Sequence, residues 1–283
     1  MAGTLFLVST PIGNLEDITL RALRVLREAD LIAAEDTRRT AKLLTHHGIS
    51  TPSLSFHEHN VRSRLPQLLA RLERGERVAV VTDAGTPSVS DPGLELVQAC
   101  IERAIPVDPI PGASAPMTAA IASGFPLAPW MILGFPPFRG RDRKLWFQGL
   151  ADLPHTVSFF EAPHRVRATL EELSYFLVDR PIVVGRELTK THQEFLRGTA
   201  SQLAERLIAP KGEFTLVVGP SLTLVRQDLN VTDTDLVEEF RQLTEHAGIS
   251  RRSAISQVAK RHGRTSRDVY SAVERLKNMS NNQ

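Results

Sequence analysis

The chain has a single cysteine among its 283 residues, at position 100. One thiol excludes an internal disulfide and any metal site built from clustered cysteines. Val97, Ala99 and Ile101 surround Cys100 with apolar side chains, so we expect the thiol to pack in a core rather than to react. This use of cysteine fits a reducing cytoplasmic location.

Long hydrophobic runs are also missing. The apolar stretches fall short of the roughly 18 residues that a membrane-spanning helix needs, and the opening MAGTLFLVST lacks the basic region and cleavage site of a signal peptide. We therefore expect no membrane partner and no secretion signal. Neither GxxxxGK[ST] nor GxGxxG occurs in the sequence, which argues against ATP, GTP or NAD as a ligand.

Neither sign of charge predominates, since the formal net charge is only +2. The basic residues are nevertheless unevenly spread along the chain. The candidates for contacting a polyanion in the C-terminal region are Arg251, Arg252, Lys260, Arg264 and Arg267. A second basic cluster follows a Pro-Pro pair and comprises Arg139, Arg141, Arg143 and Lys144. Both clusters suggest a nucleic-acid partner, and the alternative is a solvated surface with a flexible linker.

What the chain does have is an alternation of apolar β-rich runs with helical patterns. Strands are predicted at residues 5–9, 31–34, 78–82 and 107–110, and then at 157–160, 182–184 and 214–218. This alternation predicts an α/β fold with a mostly parallel first sheet. We place an N-terminal α/β domain at 1–128, a Gly- and Pro-rich linker at 129–144 and a second mixed α/β domain at 145–222.

The last part of the chain, 231–283, reads as a small helical appendage. Helices are predicted at roughly 235–246, 252–261 and 266–277, and the spacing of Thr265 and Asp268 predicts a capping box at the start of the last one. The turn before it is typical of a helix-turn-helix arrangement, although a dimerisation or packing element explains the pattern too. Because this region is basic, we predict that it binds RNA.

Three loops rich in small residues follow predicted strands: STPIGNLED, VTDAGTPSVSDPG and PIPGASA. The carboxyl ends of parallel strands lie at one edge of a sheet, where open α/β folds bind ligands. The loops therefore predict a ligand site there, while ordinary strand-to-helix turns are the alternative. Elsewhere, His57 and His59 lack a suitably placed third ligand, so we predict no metal site.

Six motifs in this order resemble one known family: TPIGNLEDITLRALRVLREADLIAAEDTRRT, SFHEHN, VTDAGTPSVSDPG, PIPGASA, FFEAPHR and RELTKTHQEFLRG. The chain resembles the ribosomal RNA small-subunit methyltransferase I family of the tetrapyrrole methylase superfamily, from about Thr4 to Gly219. The resemblance implies two α/β domains with a cofactor cleft between them, and a homodimer. It further implies that S-adenosylmethionine is the cofactor and that the ribose 2′-oxygen of a decoding-centre cytidine in 16S rRNA, free or in the small subunit, is methylated.

The resemblance also implies which residues line the cofactor. In the first domain these are Pro11, Gly85, Thr86, Pro87, Ser88, Val89, Ala113, Ser114 and Ala115. In the second domain they are Phe160, Glu161, Leu188, Thr189, Phe214 and Thr215.

A ribose hydroxyl is a poor nucleophile while protonated, so a nearby carboxylate or neutral amine would assist methyl transfer. The candidates are Glu161, Lys190 and Asp36. Candidates for holding RNA phosphates near the cleft are Arg38, Arg39, Arg165 and Arg186. Two alternative functions stay open: a tetrapyrrole-type small-molecule methyltransferase, and a noncatalytic RNA-binding factor in ribosome assembly.

Overall fold

The computed structural model describes residues 3–87, 93–177, 179–208, 210–221, 232–246, 250–262 and 264–280. These fall into two compact units, Met1–Pro220 and Ser221–Gln283. Both predicted α/β regions thus lie in the first unit, and the helical region is the second. Across the described ranges, no helix has the length and apolar character needed to cross a membrane.

The first sheet of the α/β unit contains five parallel strands in the order β3-β2-β4-β1-β5. Its strands are β1 (Thr4–Val8), β2 (Leu31–Ala34), β3 (Ser53–Ser55), β4 (Arg77–Val81) and β5 (Val107–Ile110). They alternate with helices α1 (Leu20–Glu28), α2 (Thr37–His46), α3 (Val61–Glu73) and α4 (Gly93–Glu102). Because helices cover both faces, the inner strands are continuously apolar, as in β2, where all four residues are buried.

The second sheet is mixed, with the order β6-β7-β10-β8-β9. Its strands are β6 (Trp130–Ile132), β7 (Thr156–Glu161), β8 (Ile182–Arg186), β9 (Glu194–Gly198) and β10 (Phe214–Val218). Only β6 and β7 pair in parallel; the other pairs are antiparallel. Helices α6 (Gly140–Asp152), α7 (Pro163–Phe176) and α8 (Ala200–Arg206) cover this sheet.

The predicted linker at 129–144 needs correction, because it contains β6 and the first turn of α6. The polypeptide passes between the two sheets through α5 (Ala115–Ser123), which directly follows the first sheet. Ala119 of this helix packs with Val183 and Val217 of the second sheet and with Ile12 of the first-sheet loop. This shared apolar contact joins the two sheets into one compact unit.

The second unit contains three helices within the described residues: α9 (Asp233–Arg241), α10 (Arg251–Arg261) and α11 (Ser266–Ser280), with a π-helical turn at Gln242–His246. Their apolar faces form a small core that includes Phe240, Val258 and Val269. The three helices predicted in this region are confirmed. So is the capping box of α11, since Asp268 N–H donates to Thr265 Oγ1 at 3.1 Å and Thr265 N–H donates to Asp268 Oδ2 at 3.0 Å.

Candidate active site

A cavity of about 470 Å³ opens in the α/β unit between the carboxyl ends of the first-sheet strands and the second sheet. We call it the cleft. The first sheet and α5 contribute Ile12, Glu35, Arg39, Asp83, Ala84, Gly85, Thr86, Ser114, Ala115 and Pro116. The second sheet and its loops contribute Phe135, Phe160, Glu161, Ala162, Pro163, Leu188, Glu213, Phe214 and Thr215. Its size lies within the range of sites that bind cofactor-sized molecules.

Hydrogen bonds between neighbouring loops fix the first-sheet wall of the cleft. The backbones of Thr10 and Gly85 exchange two hydrogen bonds of 2.9 and 3.1 Å. The hydroxyls of Ser9 and Thr86 lie 3.0 Å apart, and Thr86 Oγ1 donates to the carbonyl of Ala113 at 3.3 Å. Gly85 has a φ of +88°, a conformation that suits glycine and explains why this residue stands in the turn.

The opposite wall touches the first one at Gly13. A Cβ on Gly13 would lie 2.5 Å from Lys190 Cγ and 2.8 Å from the carbonyl oxygen of Leu188. The next backbone N–H, that of Asn14, donates to Thr189 Oγ1 at 3.0 Å. Only a residue without a side chain permits this approach, so Gly13 sets the separation of the two walls at that end of the cleft.

Glu161, predicted as a candidate base, has a fully buried side chain at the end of β7. Its Oε2 accepts a hydrogen bond from Thr169 Oγ1 at 2.6 Å, and its Oε1 accepts one from Ala162 N–H at 2.8 Å. Arg165 Nε lies 3.1 Å from Oε1, and Arg143 lies 3.8 Å from Oε2. Because both oxygens already accept hydrogen bonds from the protein, this geometry suits a residue that positions the β7–α7 junction, not one that takes a proton.

The two other predicted bases are also poorly placed for proton abstraction. Lys190 Nζ lies 2.9 Å from a Glu187 carboxylate oxygen and 3.0 Å from one of Glu213. Partial burial lowers the pKa of Lys190, but hydrogen bonds to the two carboxylates outweigh it and raise the pKa above its ordinary value. Hydrogen bonds from the side chain and backbone of Arg38 lower the pKa of Asp36 to about 2. A protonated amine and so weakly basic a carboxylate make poor proton acceptors.

A carboxylate that the sequence interpretation missed, Asp83, lines the cleft directly after β4. Asp36 N–H donates to its Oδ1 at 3.1 Å, and Arg39 lies 3.4 Å from its Oδ2. Its own N–H donates to the Glu35 carboxylate at 3.1 Å. Partial burial raises the pKa of Asp83, and the negative charge of Glu35 raises it further, against the opposing effect of Arg39. Asp83 is therefore a stronger base than an ordinary aspartate, and it lies in the cleft.

Residues 4–204 match the family model described as Tetrapyrrole (Corrin/Porphyrin) Methylases. A protein of Halalkalibacterium halodurans named Ribosomal RNA small subunit methyltransferase I is 43% identical over 274 residues, which cover 95% of this chain and 93% of the relative. A Synechocystis protein of the same name is 45% identical over 271 residues, with 95% and 96% covered.

The chain belongs to the ribosomal RNA small subunit methyltransferase I family of tetrapyrrole methylases. A solved structure of similar fold is uroporphyrin-III C-methyl transferase from Thermus thermophilus, complexed with S-adenyl homocysteine. It is 20% identical, with a TM-score of 0.55, and the match covers 77% of this chain and 97% of that chain. The predicted α/β fold of the tetrapyrrole methylase type with a C-terminal helical region is thus confirmed. Its two predicted α/β domains correspond to the two sheets of one compact unit.

The structure brings most of the cofactor positions implied by this family together. Those that line the cleft are Gly85, Thr86, Ser114, Ala115, Phe160, Glu161, Leu188, Phe214 and Thr215. Pro11, Pro87, Ala113 and Thr189 are each the sequence neighbour of a lining residue but do not line the cleft themselves. Ser88 and Val89 lie outside the described residues.

Two arginines predicted to contact RNA, Arg143 of the second basic cluster and Arg165 near the cleft, make internal contacts instead. Arg143 requires correction, because its guanidinium is buried, bonds both oxygens of Glu172 at 3.1 Å and donates to Thr169 Oγ1 at 2.8 Å. Arg165 donates to the carbonyls of Pro136 and Pro137 as well as pairing with Glu161. These two arginines hold the loop before α6 against α7.

The other arginines and the lysine predicted to contact RNA in the α/β unit differ in their exposure and in their contacts. Arg38 is exposed although it pairs with Asp36, Arg39 lines the cleft, and Arg186 is bonded to Glu194 and to the carbonyl of Lys211. In the second cluster, Arg139, Arg141 and Lys144 are exposed.

The C-terminal candidates differ as well. Arg251 pairs with Glu274, and its guanidinium lies about 6 Å from the ring centres of Phe240 and Tyr270, which ties it to the core of the helical unit. Arg252, Arg264 and Arg267 are exposed. The side chain of Lys260 lies outside the described part of the chain.

Proposed function

We propose that this protein is an S-adenosylmethionine-dependent methyltransferase that methylates the RNA of the small ribosomal subunit, at the ribose 2′-oxygen of a decoding-centre cytidine. One observation carries the proposal. Relatives named Ribosomal RNA small subunit methyltransferase I share 43–45% of their residues with this chain over 95% of its length. The agreement extends over both sheets that form the cleft and over the helical unit.

The cleft fits the proposed cofactor in shape and in charge. Apolar side chains of Ile12, Phe135 and Leu188 supply surface for an adenosine and a methionine chain, beside the small residues of the Gly85–Thr86 turn. Glu35, Asp83 and Glu213 bring carboxylates to a site whose ligand carries a sulfonium and an ammonium charge. When bound, the cofactor supplies a methyl group that its sulfonium charge has already made electrophilic.

The residues of the cleft must then align the ribose hydroxyl and remove its proton. Asp83 is the proposed proton acceptor, since its raised pKa brings its basicity closer to that required at neutral pH. Glu35 holds the Asp83 backbone, and Arg39 lies beside the carboxylate, where it stabilises the ionised form. Glu161, Arg143 and Arg165 keep the opposite wall in place, so that the hydroxyl meets a rigid cleft.

Labelled S-adenosylmethionine tests the proposal when it is offered with three substrates in parallel: small ribosomal subunits, naked 16S rRNA and a tetrapyrrole precursor. We expect label in RNA, and nuclease digestion followed by chromatography should identify it as 2′-O-methylcytidine. Label in the tetrapyrrole would favour the small-molecule alternative. RNA binding without transfer to any of the three substrates would favour an assembly factor.

A further inference from the structure

A second cavity of about 450 Å³ lies in the α/β unit between the start of α6 and the end of α7. It is lined by Phe138, Arg139, Gly140, Arg143, Lys144, Phe147, Glu172, Tyr175 and Phe176. None of the cleft residues lines it, so it is a separate site. We call it the α6–α7 cavity.

Two aromatic side chains of this cavity are exposed to an unusual degree. Phe138 is 67% exposed and Tyr175 is 84% exposed. Neither ring contributes to the core of the unit, whose buried aromatics in this region include Phe147. Apolar rings that the fold leaves in water, around a concave surface, are typical of a binding site. Because every nucleobase has a flat π-face, such rings can stack on a base of any sequence.

Positive charge surrounds the exposed rings. Arg139 lies 5.9 Å from the centre of the Phe138 ring, and Arg165 lies 5.3 Å from it. Lys144 is exposed, and it forms no ion pair with any residue that the structure describes. The only acidic lining residue, Glu172, is paired with the buried Arg143. The cavity therefore presents surplus cations beside aromatic faces, which is the combination used to bind single-stranded nucleic acid.

One loop contributes residues to both the α6–α7 cavity and the cleft. Phe135 lines the cleft, where its ring centre lies 5.2 Å from that of Phe160, and Phe138 lines the second cavity three residues later. The carbonyls between them accept hydrogen bonds from Arg165, which also pairs with Glu161 in the cleft wall. One clamped loop thus supplies an aromatic ring to each site.

We propose that the α6–α7 cavity binds an unstacked base of the RNA strand next to the nucleotide held in the cleft. This inference rests on the proposed function, because it assigns a flanking site to the same RNA substrate. Phe138 and Tyr175 supply the stacking surfaces, while Arg139 and Lys144 contact the backbone phosphates. A base held there fixes the register of the strand and lets the target ribose reach the cleft.

Fluorescence anisotropy with a short labelled single-stranded RNA tests the inference on the full chain. We expect Phe138→Ala and Tyr175→Ala each to weaken RNA affinity roughly tenfold, as loss of one stacked base predicts. Phe138→Tyr and Tyr175→Phe should retain affinity because they keep the ring. Phe138→Leu keeps an apolar side chain and should lose affinity, which separates stacking from folding. Lys144→Gln should reduce the dependence of affinity on salt concentration.

Matched controls come from surface residues outside the cavity. Leu145→Ala removes a half-exposed apolar side chain from the same helix, and Arg62→Gln removes an exposed cation from α3; both should bind as wild type. A second probe carries the same phosphates with abasic sugars. Wild type should bind this probe more weakly than the base-bearing RNA, and Phe138→Ala should bind the two about equally.

The inference and the proposed function fail in different ways. The anisotropy assay needs no methyl transfer, so a wild-type protein that binds RNA without methylating it would contradict the function alone. If wild type methylates RNA while Phe138→Ala and Tyr175→Ala match it in both RNA affinity and KM, the inference is wrong. Variants that keep RNA affinity but lose affinity for assembled small subunits would assign the cavity to a ribosomal protein, and would overturn the inference as well.

Discussion

Replacing Glu161 should lower the free energy of unfolding of the α/β unit, because we assign this residue a structural role and not a role in methyl transfer. Its buried carboxylate accepts hydrogen bonds from Thr169 and Ala162 and faces the guanidinium groups of Arg165 and Arg143. Removing one partner of a buried ion pair typically costs about 3–5 kcal/mol. Arg143 keeps its second partner, Glu172, so we expect Glu161→Ala to cost about 3 kcal/mol, at the low end. Glu161→Gln retains one carbonyl acceptor and should cost roughly half as much.

Urea unfolding followed by tryptophan fluorescence measures this loss of stability, and the signal comes from the α/β unit. Both tryptophans of the chain, Trp130 and Trp146, lie in the α/β unit, and Trp130 Nε1 donates to Ser158 on the strand that carries Glu161. Glu171→Ala is the matched control, since its exposed pair with Arg167 is worth at most about 0.5 kcal/mol. The reasoning fails if Glu161→Gln unfolds like wild type, binds cofactor like wild type and yet loses methyl transfer, because Glu161 would then act in the chemistry.

Four further predictions concern the cleft and the helical unit. Asp83→Asn should lower kcat about a hundredfold or more and abolish the acidic limb of the pH profile, while Asp108→Asn, at an exposed ion pair of β5, should not. The pKa of Asp83 is higher in the folded state than in the unfolded state, so its ionisation lowers the free energy of unfolding as the pH rises between these two pKa values. In urea unfolding at neutral pH, Asp83→Asn should therefore be at least as stable as wild type. Gly13→Ala should weaken cofactor binding in calorimetry, since its Cβ would overlap the opposite wall, whereas Gly149→Ala, with open space around it, should bind normally. Truncation after Pro220, where the compact unit ends, should leave cofactor affinity unchanged and reduce the salt dependence of RNA affinity in filter binding; equal salt dependence would exclude RNA contacts by the helical unit.

The elements that the sequence predicts well are those with an unambiguous local pattern. Continuous apolar runs identified β1, β2, β4 and β5, and the Thr265–Asp268 spacing identified the start of α11. Three strands were missed. Ser53–Ser55 (β3) is too short and polar to stand out, Trp130–Ile132 (β6) lies among glycines and prolines, and Glu194–Gly198 (β9) has charged side chains and one buried residue. These three strands gain their order from pairing with a neighbour, which no local window of sequence contains.

The composition of the cleft was harder to predict for the same reason. Glu35 and Asp83 are 48 residues apart in the chain and become neighbours because β2 pairs with β4, an order that the sequence does not reveal. The motif FFEAPHR contains both Glu161 and its partner Arg165, but it gave no sign of the second partner, Arg143, which comes from a segment interpreted as a linker. The sequence therefore predicted several of the residues that line the cleft. It did not predict the roles that depend on burial or on pairing between distant segments.

The most direct test of the central claim is a crystal structure of the protein with S-adenosylhomocysteine. We expect the ligand between the Gly85–Thr86 turn and the wall formed by Leu188 and Phe214, with its charged groups toward the carboxylates of the cleft. Binding at any other place, or a cleft filled by side chains in the crystal, would contradict the account.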